Sequence, residues 1–424
     1  MKRNSFWAAA GRTLAAVAVT LIFLLAFVSA AGASQFKVLH AFNGADGQQL
    51  RGGLVFDEGG NLYGTTAAGG IGSCWVYGGY GCGTVFKLVH ELDGSWTETS
   101  LYSFTGGADG ANPWSTLVFD PAGNLYGTTM FGGSYGYGAV YKLTHNPDNS
   151  WTQSVVYSFT GGADGNQPYS LAFDTAGTLY GTTWYGGVHG YGTVYKLTPN
   201  SDGSWTQYVI HSFTGGKGGA YPEREIGLTF DATGKLYGTT TFGGPYGYGV
   251  VYRLTLGLDG VWRERVLHAF KANPGKWPDG RLSFDANGSL YGTTSNAGGD
   301  GGPGNPAGIV FKLTADSDDK WTFSILYSFK GGNDGYDPAL GAMFDAASNL
   351  YGSTYGGGAY NAGTVFKLSP GSGGKWKETR LHTFTGSADG ANPDGFVVDA
   401  AGNFYGVTAY GGAYGGGTVY EITP

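Results

Sequence analysis

The sequence of 424 residues has few cysteines, methionines and charges: two Cys, three Met and 13% charged residues. The low charge excludes a coiled coil and a strongly charged disordered chain. The formal net charge is −7, with 24 Lys and Arg against 31 Asp and Glu. Because this balance is acidic, it argues against a nucleic-acid-binding surface, and we expect no nucleic-acid partner.

Glycine and aromatic residues are abundant: the chain has 81 Gly, 30 Tyr, 25 Phe and 11 Trp. Glycine weakens helices, so this composition also excludes an ordinary helical domain. We therefore expect a large all-β protein whose strands are separated by glycine-rich turns.

The first 33 residues have the pattern of an export signal. Basic residues precede an apolar run over residues 14–28, and the small residues 31–33 form an A-x-A cleavage pattern. We expect residues 1–33 to be a cleaved signal peptide. The mature protein is then secreted, periplasmic or at the cell surface, with no transmembrane anchor. The alternative is an uncleaved anchor, since the apolar stretch approaches the roughly 20 residues that span a bilayer.

The two cysteines, Cys74 and Cys82, lie in one short loop. In an oxidising compartment outside the cytoplasm, the default for such a pair is a local disulfide. A redox or metal-binding pair is the alternative, but the loop lacks the two-residue spacing of such motifs and has no histidine beside it.

Everything after residue 34 is one motif written seven times. In each repeat a short apolar strand (A) ends at an Asp, and a turn leads to a strand (B) that reads Leu-Tyr-Gly-Thr-Thr or close to it. A glycine-rich loop, a third strand (C) such as residues 138–143, a polar turn and a fourth strand (D) such as residues 151–159 follow. The strand A aspartates are Asp57, Asp120, Asp174, Asp231, Asp285, Asp345 and Asp399.

Four-strand units with a period of 50–60 residues are typical of a β-propeller, in which each unit is one blade. We predict a single seven-bladed β-propeller domain over residues 34–424. The last repeat lacks its strand D, and a lone copy of that strand opens the chain. We therefore expect the last blade to be shared between residues 36–42 and 396–424, which closes the ring. A parallel β-helix is the structural rival, but tight antiparallel hairpins fit it poorly.

Residues 101–144 read LYSFTGGADGANP, then LVFDPAGNLYGTT, then YGYGAVYKLT, separated by short spacers. This motif set resembles the GloVer tandem repeat of the choice-of-anchor group of exported bacterial proteins, and the resemblance covers residues 36–424. It implies an exported repeat protein whose relatives carry varied C-terminal surface anchors. It implies no established activity.

The two faces of the predicted ring differ in how constant their loops are. The AB turns have one length, and the step from the strand C Leu to the strand D Trp is always eight residues. The BC span is 11 residues in five repeats but 19 and 16 in the first and fifth. Because loops that vary on a rigid scaffold commonly carry binding, we predict the ligand site on the face of the BC and DA loops. Unconstrained drift of these loops is the alternative.

Aromatic residues of the BC/DA face are the predicted ligand-binding residues. They are Phe131, Tyr135, Tyr137, Trp184, Tyr185, Tyr191, Phe242, Tyr246, Tyr248, Tyr355 and Tyr410. The DA loops add carboxylates at Asp46, Asp109, Asp164, Asp334 and Asp389. Aromatic faces beside carboxylates suit sugar rings and protein partners equally well, so we expect a glycan or an extracytoplasmic protein as ligand. In the alternative interpretation the repeated aromatics only pack blade against blade and the aspartates only form turns.

We expect a monomer that needs no cofactor and no metal. Four histidines, His40, His211, His268 and His382, share one repeat position with tyrosines, so we predict a structural role for them. Catalysis would need residues that one blade alone has, and the weak candidates are Glu223, Arg224 and Glu225. Asp279, Arg281, Asp337 and Asp394 lie in the corresponding loops of other blades. The alternatives to a binding module are thus a polysaccharide-active hydrolase or lyase and a structural surface protein.

Overall fold

The computed structural model describes residues 34–76, 79–223, 227–296, 307–338 and 341–423. The predicted signal peptide, residues 1–33, lies outside these ranges. Within them, seven antiparallel sheets of four or five strands form the blades of a ring, which confirms the predicted seven-bladed β-propeller. No helix in the described ranges is long and apolar enough to cross a membrane.

The chain begins with β1 (Gln35–Ala41). Blade one contains β2 (Gln48–Phe56), β3 (Leu62–Ala68), the short hairpin β4 (Trp75–Val76) and β5 (Gly79–Tyr80), then β6 (Thr84–His90) and β7 (Trp96–Ser103). Blade two contains β8 (Ala111–Pro113), β9 (Val118–Phe119), β10 (Leu125–Phe131), β11 (Ala139–His145) and β12 (Trp151–Ser158). Blade three contains β13 (Asn166–Phe173), β14 (Leu179–Tyr185), β15 (Thr193–Pro199) and β16 (Trp205–Ser212).

Blade four contains β17 (Ala220–Pro222), β18 (Thr229–Phe230), β19 (Leu236–Phe242), β20 (Val250–Leu256) and β21 (Trp262–Ala269). Blade five contains β22 (Lys276–Phe284), β23 (Leu290–Asn296), β24 (Ile309–Ala315) and β25 (Trp321–Ser328). Blade six contains β26 (Met343–Phe344), β27 (Leu350–Thr354), β28 (Thr364–Pro370) and β29 (Trp376–Thr383), with 3₁₀ turns at Gly332–Asp334 and Ser372–Gly374. Blade seven contains β30 (Ala391–Val398), β31 (Phe404–Tyr410) and β32 (Thr418–Thr423).

The first strand belongs to the last blade. β1 pairs antiparallel with β32, with Gln35 opposite Thr423, and the sheet order is β1-β32-β31-β30. Blade one lies next to blade seven, since its strand β2 packs against β30 and β31. The predicted disulfide is also confirmed, since Cys74 and Cys82 are bonded in the loop after β3.

Strand A is longer than the sequence predicts. In blade five it runs through β22 and in blade seven through β30, so Asp279, Arg281 and Asp394 lie within strands and not in DA loops. The prediction was wrong here because these segments contain Pro, Gly and charged residues. Such a composition is typical of a loop, whereas strand A of a propeller is extended along the central channel.

The blades are held together by one repeated aromatic contact. The Tyr of strand B in one blade packs edge-on against the Phe that ends strand A and the Trp that starts strand D in the next. Tyr63, for example, lies 5.2 Å from Phe119 and 6.2 Å from Trp151 between ring centroids. Its hydroxyl donates to Asp57 at 2.9 Å, and Asp57 also accepts the backbone N–H of Asn61. The strand A aspartate thus closes its own turn and fixes the Tyr, as a turn-capping Asp is expected to do.

The strand B glycine leaves room for the aromatic ring of strand C. A Cβ at Gly127 would overlap the hydroxyl and ring of Tyr141, which is fully buried. The ring therefore occupies the space of the missing side chain, which explains why Leu-Tyr-Gly recurs before each strand C aromatic.

We expect Gly127→Ala to lower the free energy of unfolding by about 1–3 kcal/mol, because the new methyl group overpacks a rigid site. The matched control is Gly162→Ala, an exposed glycine whose nearest neighbour is 3.6 Å away and whose φ is not positive. Its cost should stay within about 0.5 kcal/mol. Urea unfolding of both variants measures the difference, and equal costs would show that strand C does not require the glycine.

A second repeated contact joins neighbouring blades at the outer rim. Tyr102 of strand D donates to Asp109 at 3.0 Å, and Gln153 of the next strand D donates its amide to the Asp109 carbonyl at 3.2 Å. Between blades three and four, His211 takes the position of Tyr102 and Glu264 that of Gln153, and their side chains are 3.7 Å apart. Burial raises the pKa of Glu264 to about 7 and lowers that of His211 to about 4, so both are neutral between these values.

A folded-state pKa above the unfolded value means that Glu264 contributes stability below about pH 4.5, which is lost as the pH rises through about 7. We expect Glu264→Gln to remove this loss. The variant should gain up to about 3 kcal/mol of unfolding free energy relative to the parent between pH 5 and pH 8. Urea titrations at both pH values test this, and a difference independent of pH would contradict it.

Candidate functional site

Each blade has one non-glycine residue in the left-handed region at the start of strand A, with φ between 56° and 58°. These residues are Gln49, Asn112, Gln167, Tyr221, Trp277, Asp337 and Asn392. Six of the seven stand directly before a proline. We call this end of the ring, where strand A begins and the BC and DA loops meet, the channel mouth.

Backbone hydrogen bonds fix the channel mouth between blades. The N–H of Asn112 donates to the Cys82 carbonyl at 2.7 Å, and that of Gln167 donates to the Tyr137 carbonyl at 2.9 Å. Each bond ties the start of one strand A to the BC loop of the preceding blade. A left-handed conformation is unfavourable for bulky residues such as Tyr221 and Trp277, and such conformations cluster at functional sites.

Aromatic side chains from blades three and four contact Tyr221. Its ring is stacked on Trp184 at 5.3 Å and lies edge-on to Tyr185 at 5.5 Å and to Phe242 at 5.9 Å, between centroids. We call the connected set the aromatic arc. It consists of Trp184, Tyr185, Tyr191, Tyr221, Phe242 and Trp277.

The aromatic arc has a buried base and an exposed edge. Trp184 is only 7% exposed and packs with Trp114 and Tyr169, whereas Tyr185 and Phe242 are 41% and 37% exposed. The exposed rings of Tyr185 and Phe242 lie beside this packed aromatic layer, which fixes the arrangement of their faces.

The opposite side of the channel mouth is charged. Arg51 of blade one forms an ion pair with Asp394 of blade seven at 2.9 Å, and both side chains are largely buried. Its guanidinium lies 5.0 Å from the Trp114 ring, 5.6 Å from Tyr355 and 5.7 Å from Tyr410. One side chain that contacts residues of blades two, six and seven must lie near the axis of the ring.

Asp337 of blade six adds a second carboxylate to this side. Its pKa is raised to about 7 by burial and by the negative charges of Asp279 and Asp394. Its Oδ1 is buried and has no hydrogen-bond partner among the described residues. Arg281, two residues after Asp279 in β22, is exposed. We call Arg51, Asp279, Asp337 and Asp394 the charged cluster.

The structure divides the predicted ligand-binding residues into three groups. Trp184, Tyr185, Tyr191 and Phe242 join the aromatic arc. Tyr355 and Tyr410 lie at Arg51. The others are not brought together: Phe131 packs beside Trp114, Tyr137 lies over Gly161 of the next DA loop, Tyr248 packs in the blade core, and Tyr135 and Tyr246 are exposed at the rim.

The DA-loop aspartates form turns, as the alternative interpretation of the sequence expected. Asp109 accepts the backbone N–H of Thr105 at 2.8 Å and its hydroxyl at 2.6 Å. Asp164 caps its loop in the same way through Thr160. The carboxylates of Asp109 and Asp164 are therefore engaged by their own loops.

Of the weak catalytic candidates, only Glu223 lies within the described residues; Arg224 and Glu225 lie outside them. Glu223 is 2% exposed, its N–H donates to the Thr239 carbonyl at 3.1 Å, and its carbonyl accepts the Thr182 hydroxyl at 3.2 Å. Burial to this extent favours a residue of the channel wall.

Sequence reasoning missed Tyr221, Trp277 and Arg51 as site residues. The sequence contained a signal, because these residues lie on either side of the strand A proline. Tyr221 and Trp277 stand directly before it, and Arg51 stands directly after Leu50, which takes its place in blade one. In six of the blades the position after the proline holds Arg51, Trp114, Tyr169, Glu223, Asp279 and Asp394.

The other face of the ring carries grooves between blades. One groove of 510 Å³ is lined by Tyr63, Lys87 and Trp151, and another of 500 Å³ by the equivalent Tyr237, Arg253 and Trp321. These residues repeat from blade to blade and belong to the contacts that hold the blades together. The channel mouth, in contrast, differs from blade to blade.

Two solved structures share this fold, both extracellular domains from B. thetaiotaomicron. One belongs to a putative one-component system, with 13% identity and a TM-score of 0.55, and covers 93% of this chain. The other belongs to a putative hybrid two-component system, with 14% identity and a TM-score of 0.50, and covers 92%. The chain spans about two fifths of the length of these proteins, 42% and 41% respectively. No curated protein matches the sequence.

The model of the Gloeobacter/Verrucomicrobia repeat matches the sequence three times, over residues 25–229, 120–317 and 299–424. These matches cover the seven blades and the repeats from which the sequence resemblance was drawn. The chain therefore belongs to the Gloeobacter/Verrucomicrobia repeat family.

Proposed function

We propose that this chain is an exported binding module that recognises a glycan at the channel mouth. The observation that carries the proposal is the pairing of the aromatic arc with the charged cluster across one opening. Flat aromatic faces take the apolar faces of sugar rings, and carboxylates and a guanidinium take their hydroxyl groups.

The composition of the site favours a glycan over a protein surface. Binding sites for small ligands are mostly apolar and have a few placed polar groups. The channel mouth has this composition, since the aromatic arc presents exposed rings and the ion pair of Arg51 and Asp394 lies among three aromatic rings.

Three observations support export. The sequence opens with a signal-peptide pattern, the chain forms a disulfide between Cys74 and Cys82, and the similar solved structures are described as extracellular domains. Disulfides form and persist mainly outside the cytoplasm.

We expect Tyr221→Ala to raise the Kd for a bound polysaccharide at least about tenfold, which corresponds to about 1.4 kcal/mol. The substitution removes the ring at the centre of the arc but keeps a Cβ, so the backbone strain is unchanged. Binding to an array of polysaccharides identifies the ligand, and titration with that polysaccharide gives the Kd of each variant.

The matched control is Tyr208→Ala, since Tyr208 is 52% exposed on strand β16 at the outer edge of blade three. This variant should bind as the parent does. Equal losses in the two variants would show that the arc is not the site. Binding of an extracytoplasmic protein and of no polysaccharide would replace the glycan with a protein partner.

One observation favours a polysaccharide-active hydrolase or lyase as a second candidate. Asp337, with a pKa raised to about 7 by burial and neighbouring carboxylates, is suited to donate a proton near neutral pH, and Asp394 forms an ion pair with Arg51 nearby. A general acid must hold its proton at the working pH, and a raised pKa favours this.

If the module is catalytic, Asp337→Asn should reduce product release by a factor of about 10² or more and leave polysaccharide binding within a few-fold of the parent. Products are measured in the same wells as binding. Binding without products in the parent protein would leave the non-catalytic module, and products from Asp337→Asn at the parent rate would exclude Asp337 as the acid.

A further inference from the structure

The outer-rim contact between blades has a different composition where blade seven meets blade one. Strand β1 supplies His40, the following loop supplies Asp46, and strand β7 of blade one supplies Glu98. One potential ligand atom from each of the three lies within 4.8 Å of the other two. His40 Nε2 and Asp46 Oδ2 are 2.9 Å apart, and all three side chains are partly buried.

Comparison with the other junctions shows that Glu98 replaces a hydrogen-bond donor. At the equivalent position Gln153 donates to the Asp109 carbonyl, and Gln207 donates to the Asp164 carbonyl, both at 3.2 Å. A carboxylate cannot donate in this way when ionised. Glu98 Oε1 is instead buried and has no hydrogen-bond partner among the described residues.

The charge of Asp46 makes this arrangement unfavourable without a counter-charge. A carboxylate with a buried, unpartnered oxygen beside a second carboxylate is destabilising unless a cation or a hydrogen-bond donor compensates it.

The other junctions lack one or more of the three groups. At His382 and Asp389, Phe36 takes the place of Glu98 and is stacked on the imidazole at 3.8 Å. At His211 and Glu264, the loop has Gly218 where the aspartate would be. Within the part of the chain that the structure describes, only the junction of blades seven and one combines an imidazole with two carboxylates.

We propose that His40, Asp46 and Glu98 bind a first-row divalent cation such as Zn²⁺. One neutral imidazole and two carboxylates balance the charge of the ion and are among its common ligands. Ligand atoms bound at about 2.0–2.2 Å lie up to about 4.4 Å apart, so small side-chain movements bring the three atoms to one ion.

The three ligands lie on both sides of the junction between blades seven and one, so a bound cation would link the two blades. β1 is the strand that pairs with β32 in the last blade, and β7 belongs to the first. A cation held by residues of both blades would connect strand β1, which is part of the last blade, to blade one. We therefore expect binding to stabilise the ring against separation at this junction.

The test is calorimetric titration of the full-length protein with Zn²⁺ alone after treatment with EDTA and dialysis. We expect one equivalent to bind at this site and to raise the Tm. Glu98→Gln should abolish this binding, or raise its Kd more than about 100-fold, because changes to outer-shell groups alone cost about 10- to 100-fold. The variant places a glutamine where the next blade has Gln153, so we expect it to fold. Circular dichroism and the Tm measured without metal test this.

The matched control is Glu264→Gln, which changes the same strand position at a junction without the aspartate. It should retain the equivalent that Glu98→Gln loses. The proposal is overturned if the folded parent binds no Zn²⁺, if Glu98→Gln binds as the parent does, or if both variants lose binding equally.

Discussion

The fold depends on the contact between the strand B tyrosine of one blade and the strand A and D aromatics of the next. The chain has 81 glycines and 66 Tyr, Phe and Trp residues, so the large side chains available for the core are mainly aromatic, and they are shared between blades. The same contact joins blade seven to blade one, where Tyr405 lies 5.2 Å from Phe56 and 6.1 Å from Trp96. The contact thus also holds the junction at which the ring closes.

One junction departs from this pattern and shows how the contact is replaced. Between blades six and seven the strand A position holds Val398 and the position of the strand D Trp holds Ser34, so Tyr351 packs against Phe404 at 6.4 Å instead. Phe404 in turn is stacked on Phe396 at 4.5 Å. Interior phenylalanines of the last blade thus take the place of the strand A Phe and the strand D Trp at this junction. The outer strand of this blade is β1, which pairs with β32.

Much of the fold was predictable from the sequence because the repeat is written seven times with constant AB and CD turns. The disulfide followed from two cysteines in one loop. The candidate site was predictable only in part: the sequence placed Trp184, Tyr185, Tyr191 and Phe242 on the BC/DA face, and the structure brings these four together in the aromatic arc. The parts played by Arg51 and Tyr221 were not predictable, because only the three-dimensional ring brings Arg51 to Tyr355 and Asp394.

The chemical asymmetry of the channel mouth arises at single repeat positions and not from inserted elements. Next to the strand A proline, blades two and three carry Trp114 and Tyr169, while blades five and seven carry Asp279 and Asp394. The residue before the proline or its equivalent has nearly the same φ in each blade, 56–58°, so the chain enters these positions in the same way. Substitution there changes the chemistry of the channel mouth without changing the junctions that hold the ring. In a propeller of this kind, point substitutions can therefore alter this end of the ring while the aromatic contacts between blades stay intact.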